Sequence, residues 1–313
     1  MPSRRIVIPR ALHYHYFHPF WKTFFENIGC ETAVTPPTNR EILDAGVRAS
    51  LSDICLPLKA YMGHVQRAAS MGDEVFVPRL VSKNANRYYC PKFLALPDLV
   101  RAKAPGLPIL SVEINAKKGP DFTRLAFLDL GRRLGASRKT SEEALQAARQ
   151  AQQRHETSCV SRFRKGEEAY GPRIALVGHP YTIHDAYLSS GMTEWLESAG
   201  ARLVTCESVP EEVLERAEAG LFREVYWESA HILVQCAVHD LSRSDLEGII
   251  LLSAFGCGPD SFVADIVARR ARRKGNIPFV RLLIDEHTAR AGLRTRLEAF
   301  LDMATAFRRR QAD

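Results

Sequence analysis

Cys55, Cys90 and Cys257 share one local setting in a chain of 313 residues. Each has a proline one or two positions on and then a stretch with the spacing of an amphipathic helix. The segments are Cys55-Leu56-Pro57 before LKAYMGHVQRAAS, Cys90-Pro91 before KFLALPDLVRAKA, and Cys257-Gly258-Pro259 before DSFVADIVARRARR. Proline in the first helical turn sacrifices no intrahelical bond, and the spare N–H groups and positive dipole end of a helix favour an anion there. Three thiolates so placed could hold an anionic iron-sulfur cluster. The residues lie far apart in sequence and form no local signature, so the alternative, that each is a small buried hydrophobe, stays open on spacing alone.

Several polar residues could work beside such a group. His179, in VGHPYTIHD, follows a strand, with Tyr181, His184 and Asp185 just beyond, a place for a proton donor or substrate anchor. Asp285, Glu286 and His287 close the strand-like IPFVRLLID; Glu286 is the second catalytic candidate, and the alternative is that these carboxylates cap the next helix or pair with Arg294 and Arg296. Lys59, Lys83, Asn84, Asn86 and Arg87 are potential donors to an anion, against a default of solvated positions. Gly63, His64, Tyr88, Tyr89, Phe255, Gly256 and Gly258 are expected to shape a dry pocket around the ligands. Cys30, Cys159 and Cys236 read as core or surface thiols. Cys206 ends a strand before a helix, yet Glu207, Glu211 and Glu212 would repel an anionic cluster, so it is set aside less firmly. His13, His15 and His18 are interleaved with Tyr, Phe and Trp21 and read as a packed strand-to-helix turn instead of a metal tract.

The elements that must position these residues alternate between strand and helix. In the first half, RIVIPRAL is followed by a helix from about His18 to Ile28, CETAVTP, a helix at NREILDAG, the Cys55 helix, EVFVPRLV, the Cys90 segment and LPILSVEI. That βαβ rhythm implies parallel sheets covered by helices, an α/β fold. Domains are expected over 1–140, carrying Cys55 and Cys90, and 171–313, carrying Cys257, joined by a helical connector over 141–170. The second half reads as strands at RIALVGHP, ARLVTCES, LEGIILLSAF and IPFVRLLID, with helices at YLSSGMTEWLESAG, VPEEVLERAEAGL, EVYWESAHILVQCAVHDL and TRLEAFLDMATAFRRR, besides the Cys257 helix.

Composition excludes whole classes. With 46% hydrophobic residues the chain can bury real cores, and no apolar run of transmembrane length or signal-peptide form is present, so a cytoplasmic location is expected. Seven cysteines, an odd number without an export signal, argue against a disulfide framework. The net charge of +7 concentrates in Arg269 to Lys274 and Arg308 to Arg310, runs that read as solvated helix faces; without interleaved aromatics, a nucleic-acid role has little support. No GxxxxGK[ST] loop, full dinucleotide fingerprint, CxxC pair or GxSxG elbow occurs, so the sequence does not support ATP or NAD binding by this chain, a zinc ribbon or a hydrolase nucleophile.

The stretches SDICLPLKAYMGHV, RYYCPKFLALPDLV, GIILLSAFGCGPDSFV and FVRLLIDEHTARAGLRTRLEAFLDM resemble motifs of the 2-hydroxyacyl-CoA dehydratase component-like proteins, the group also labelled CoA-substrate-specific enzyme activase-related. The wider superfamily includes 2-hydroxyglutaryl-CoA dehydratase, benzoyl-CoA reductase and double-cubane cluster proteins. The resemblance implies flavodoxin-like domains and a 4Fe-4S cluster held by Cys55, Cys90 and Cys257, or an 8Fe-9S double cubane with further ligands. It also implies a low-potential reductase or dehydratase component that receives its electron from a separate ATP-hydrolysing iron-sulfur activator. An acyl-CoA or other small-molecule substrate and a homodimer or paralogue heterodimer follow from the same resemblance. The alternative is a non-catalytic electron-relay or scaffold subunit.

Overall fold

A computed structural model describes residues 4–72, 74–165, 171–218, 225–274 and 277–312, which fall into two compact units. Unit 1 comprises residues 1–155 and 226–228, and unit 2 the remainder.

Unit 1 runs β1 (Arg5–Ile8), α1 (Tyr14–Asn27), β2 (Glu31–Val34), α2 (Arg40–Ala49), α3 (Leu56–Ala68), β3 (Glu74–Phe76), β4 (Arg79–Ser82), α4 (Pro91–Leu94), α5 (Leu96–Lys103), β5 (Ile109–Leu110), β6 (Glu113–Asn115), α6 (Phe122–Arg133) and the start of α7 (Arg138–Lys165). Its main sheet is parallel, in the order β2-β1-β3-β5. Ile6, Val7 and Ile8 of the apolar β1 are wholly buried, as the inner strand of a sheet covered on both faces must be.

The strands read over EVFVPRLV and LPILSVEI are each broken in two. Pro78 has no N–H to donate to a ladder, so β3 stays with the main sheet while β4 pairs with β6 in a separate parallel ladder. The aromatic run HYHYFHPFW is likewise not a turn but most of α1, which tolerates Pro19 because Trp21, Phe24 and Phe25 bury against the sheet. The long helix begins in unit 1's core, where Ala144, Leu145 and Ala148 are buried, and the boundary between units falls after His155. Residues 166–170 of the expected connector and 219–221 of the helix read over VPEEVLERAEAGL lie outside the described residues.

Helices α2 and α3 meet backbone to backbone. A Cβ on Gly46 would fall 1.8 Å from Lys59 O, and one on Gly63 would fall 1.8 Å from Ile42 O. Gly63 is therefore a helix-crossing residue instead of a pocket residue. Lys59 lies in this packed helix, only 3% exposed, not in a solvated loop.

Unit 2 contains the rest of α7, then β7 (Arg173–Val177), α8 (Pro180–Ile183), α9 (Met192–Ser198), β8 (Arg202–Thr205), α10 (Glu211–Glu218), α11 (Glu228–Ser242), β9 (Gly248–Ala254), α12 (Gly258–Lys274), β10 (Phe279–Ile284) and α13 (Arg290–Ala312). All four strands are parallel, in the order β8-β7-β9-β10. Both units thus place their main strands as second, first, third, fourth, the flavodoxin-like order. In such sheets the connections reverse between the first and third strands, opening a crevice beyond their carboxyl ends. Among the described residues no helix is long and apolar enough to cross a membrane.

Candidate metal centre

In unit 2 the strands flanking that reversal are β7 and β9. Beyond Val177 the chain continues through Gly178 to His179, which precedes α8. Beyond Ala254 it turns sharply: Cys257 N–H donates to Ala254 O at 3.2 Å, and Gly256 supplies the left-handed φ of +78° that a side chain would disfavour. Helix α12 starts at the next residue, with Pro259 and Asp260 in its first turn. Topology and turn together bring one atom each from His179, Cys257 and Asp260 within 4.8 Å of one another.

His179 and Asp260 are each 3% exposed, and His179 Nε2 lies 2.8 Å from Asp260 Oδ1. An ionised carboxylate only accepts, so Nε2 carries the proton and a neutral ring keeps its lone pair on Nδ1. That Nδ1 is buried with no hydrogen-bond partner, and the ring stacks on Tyr181 at 4.8 Å and 20°. Asp260 is not among the residues the sequence reading singles out. Its signal was the spacing in Cys-Gly-Pro-Asp, which places a carboxylate one helical turn after the thiol.

Cys55 and Cys90 occupy the residues before α3 and α4, each followed by proline in the first turn, as the sequence pattern expects. Like Cys257 they are half-buried. Both belong to unit 1 and Cys257 to unit 2.

Other candidates are engaged elsewhere. His184 Nε2 pairs with Glu207 Oε1, and Asp185 Oδ1 accepts from Tyr187 N–H at 3.0 Å and Leu188 N–H at 3.1 Å. Asp285 Oδ1 accepts from His287 N–H at 2.9 Å and Thr288 Oγ1 at 2.8 Å, closing its own turn instead of capping α13. Arg294 pairs with Glu298 at 3.3 Å and Arg296 donates to Arg281 O at 2.7 Å. Glu286 is half-buried beyond β10. Asn84 is a pin instead of a solvated donor: its Oδ1 accepts from the Asn86 and Arg87 N–H groups at 3.0 Å, and its Nδ2 donates to Glu228 Oε2 at 3.0 Å. Phe255 is 53% exposed and walls no dry pocket. In the basic run, Arg269 pairs with Asp265 and Lys274 donates to the carbonyls of Leu241 and Arg243.

His64 is fully buried between Thr35 Oγ1, 2.7 Å from Nδ1, and Thr38 Oγ1, 2.9 Å from Nε2. Burial, aided by the Arg10 charge, lowers its pKa to about 4, so it is a neutral structural strut. Burial likewise lowers His18 to about 4 within the packed aromatic face of α1.

A buried thiol pair lies at the end of β8, where Cys206 is hydrogen-bonded to the backbone of Gly178, the residue before His179. Cys206 and Cys236 hydrogen-bond each other; the Cys236 contact pulls the Cys206 pKa down, but burial and the Glu207 and Asp240 charges leave it raised. Burial, then the Cys206 contact, raises Cys236 further. Both stay thiols at neutral pH, the opposite of the thiolate form in which cysteine ligates metals.

Two family models match. Residues 5–209 match the CoA enzyme activase uncharacterised domain (DUF2229), and residues 126–304 match the 2-hydroxyglutaryl-CoA dehydratase D-component. The first match includes Cys55 and Cys90, the second Cys257, and both include His179. No curated protein matches the chain significantly. Among solved structures, Zn(II)-bound AdcA from Streptococcus pneumoniae is 9% identical with a TM-score of 0.26, covering 97% of this chain, which spans 58% of that one. A sugar transporter from Clostridium phytofermentans is 10% identical with a TM-score of 0.19, covering 90% of this chain and 81% of its own. Likenesses at these scores carry no argument.

Proposed function

The chain belongs to the family of the 2-hydroxyglutaryl-CoA dehydratase D-component and carries the CoA enzyme activase domain, and from that membership we propose that it is the iron-sulfur component of a low-potential reductase or dehydratase of the 2-hydroxyacyl-CoA type. Cys55, Cys90 and Cys257 would hold a 4Fe-4S cluster, and an ATP-hydrolysing iron-sulfur activator would supply the electron. The observation that carries this reading is that two family matches, one reaching Cys55 and Cys90 and the other Cys257, cover a chain in which all three cysteines stand directly before proline-started helices.

The donor set fits the group. Thiolates are the ligands such clusters take, and each sits beside the electropositive start of a helix, which favours the ionised sulfur. A cubane bound through three thiolates supplies a low-potential electron and leaves one iron for a further ligand. Gly256 turns the chain so that Cys257 directly follows the buried end of β9, and Asp260 holds the His179 ring in one orientation beside that thiol. Cytoplasmic location, an acyl-CoA substrate, and assembly as a homodimer or with a paralogue belong to the same proposal.

The test is iron and acid-labile sulfide content of anaerobically purified or reconstituted protein, with EPR after reduction, for the wild type and for Cys55→Ala, Cys90→Ala, Cys257→Ala and Cys206→Ala. About four irons per chain, lost in the first three variants and kept in the fourth, support the reading; about eight indicate a double cubane. Iron-free protein after reconstitution rejects it.

A further inference from the structure

The buried, unpartnered Nδ1 of His179 calls for an explanation, because a polar atom taken out of water is costly unless it finds a partner. Three features around it point the same way. A metal-ligating histidine characteristically donates its other ring N–H to a carboxylate, which fixes the tautomer and the orientation of the ring. His179 makes that bond, at 2.8 Å, to a carboxylate that is itself 3% exposed. The Cys257 thiol lies within 4.8 Å of this pair, and the group sits beyond the carboxyl ends of the first and third strands, where this topology opens its crevice.

We propose that His179 Nδ1 and Cys257 Sγ are ligands of the same transition-metal centre, with Asp260 as the carboxylate that holds the imidazole in place. Imidazole and thiolate together select iron, zinc or cobalt over magnesium or calcium, which take oxygen ligands. Resting on the reading above, that centre is the cluster: Cys257 binds one of its irons and His179 binds the iron that no cysteine takes. The further ligand position of that cluster is then filled by the protein, which favours an electron-relay role over direct substrate binding at the iron. Asp260 is a positioning residue acting through His179.

The experiment uses the full chain with 15N-labelled histidine, reconstituted anaerobically with iron and sulfide, reduced, and examined by pulsed EPR. A strongly coupled imidazole nitrogen in the wild type, absent in His179→Ala and retained in Asp260→Asn, is the expected result. A cluster without such a nitrogen, or with one that survives in His179→Ala, overturns the inference and leaves the cluster reading standing. If the wild type forms no cluster, the cluster reading fails and cobalt(II) titration of the metal-free chain decides the inference by itself. Binding with a thiolate charge-transfer band, weakened at least about tenfold in both His179→Ala and Cys257→Ala, upholds the paired site; unchanged binding in either variant overturns it. Far-UV circular dichroism checks the fold of each variant, and His179→Gln, close in size and polarity, replaces His179→Ala if the latter unfolds.

Discussion

The carboxyl ends of β1 and β3 in unit 1 and of β7 and β9 in unit 2 are equivalent places in two sheets of the same strand order, but the side chains there differ in kind. In unit 1 an apolar pocket is lined by Ala11, Leu12, His13, Tyr61, Phe76 and Leu80. In unit 2 the same place gathers an imidazole, a thiol and a carboxylate. A topology supplies the crevice, and the few residues just past the strand ends decide which chemical groups face it.

The contrast extends to the buried titratable groups. His64 in unit 1 is pushed down from 6.5 to about 4 by burial and the Arg10 charge. Asp240 in unit 2 is pushed up from 3.8 to about 7, because burial outweighs the Arg243 and Arg173 charges and Asp245 adds to the rise. For His64 the unfolded chain takes the proton first on acidification, so its contribution is complete above about pH 6.5 and is lost as pH falls through about 4. For Asp240 the folded chain keeps a proton that the unfolded chain has released, so its contribution is complete below about pH 4 and is lost as pH rises through about 7.

The most damaging change expected tests the packing of unit 1. In Gly63→Ala a methyl would meet a backbone carbonyl across the α2–α3 crossing, and neither helix can yield without moving the other. The urea midpoint should show a loss of more than about 3 kcal/mol. A loss below about 1 kcal/mol would show that the crossing is looser than described.

Next are the two opposed pH slopes, which cover nearly the same range. Asp240→Asn should stabilise the chain at pH 8 by on the order of 2 kcal/mol and flatten the decline between about pH 4 and 7, read from denaturation at a series of pH values. His64→Gln, which keeps a donor and an acceptor for Thr35 and Thr38, should remove a rise in stability on the order of 1 to 2 kcal/mol across about pH 4 to 6.5, opposite in sign to the Asp240→Asn effect over nearly the same range. If both variants changed the pH slope of stability in the same direction, the contrast between the units would be wrong. The smallest effect belongs to His184→Asn. It breaks a pair with Glu207 whose histidine is 43% exposed, so stability should move by no more than about 0.5 kcal/mol, with cobalt binding unchanged. A clear loss of cobalt there would extend the proposed metal centre beyond His179 and Cys257.

Much of the fold was legible in the residue pattern, for local reasons. The unbroken apolar run GIILLSA is the buried strand β9, and Cys-Gly-Pro after Phe255 marks a turn into a helix, because glycine accepts a left-handed φ and proline the first turn. The break in EVFVPRLV was marked by Pro78, although a proline at a strand edge would read the same way until the pairing of its neighbours is known. The burial of Lys59 was hidden because helical spacing tells which residues share a face but not that another backbone, at Gly46, presses on that face.

By itself the sequence determined the α/β alternation, the family, and the placing of Cys55, Cys90 and Cys257 before proline-started helices, since each depends on residues within one turn or one strand of each other. Only the tertiary structure decided that His179 has Asp260 as its partner and Cys257 as its neighbour. Those contacts exist because β7 and β9 lie side by side while β8 is turned to the far edge, and strand order is a property of the packed sheet that no local spacing encodes.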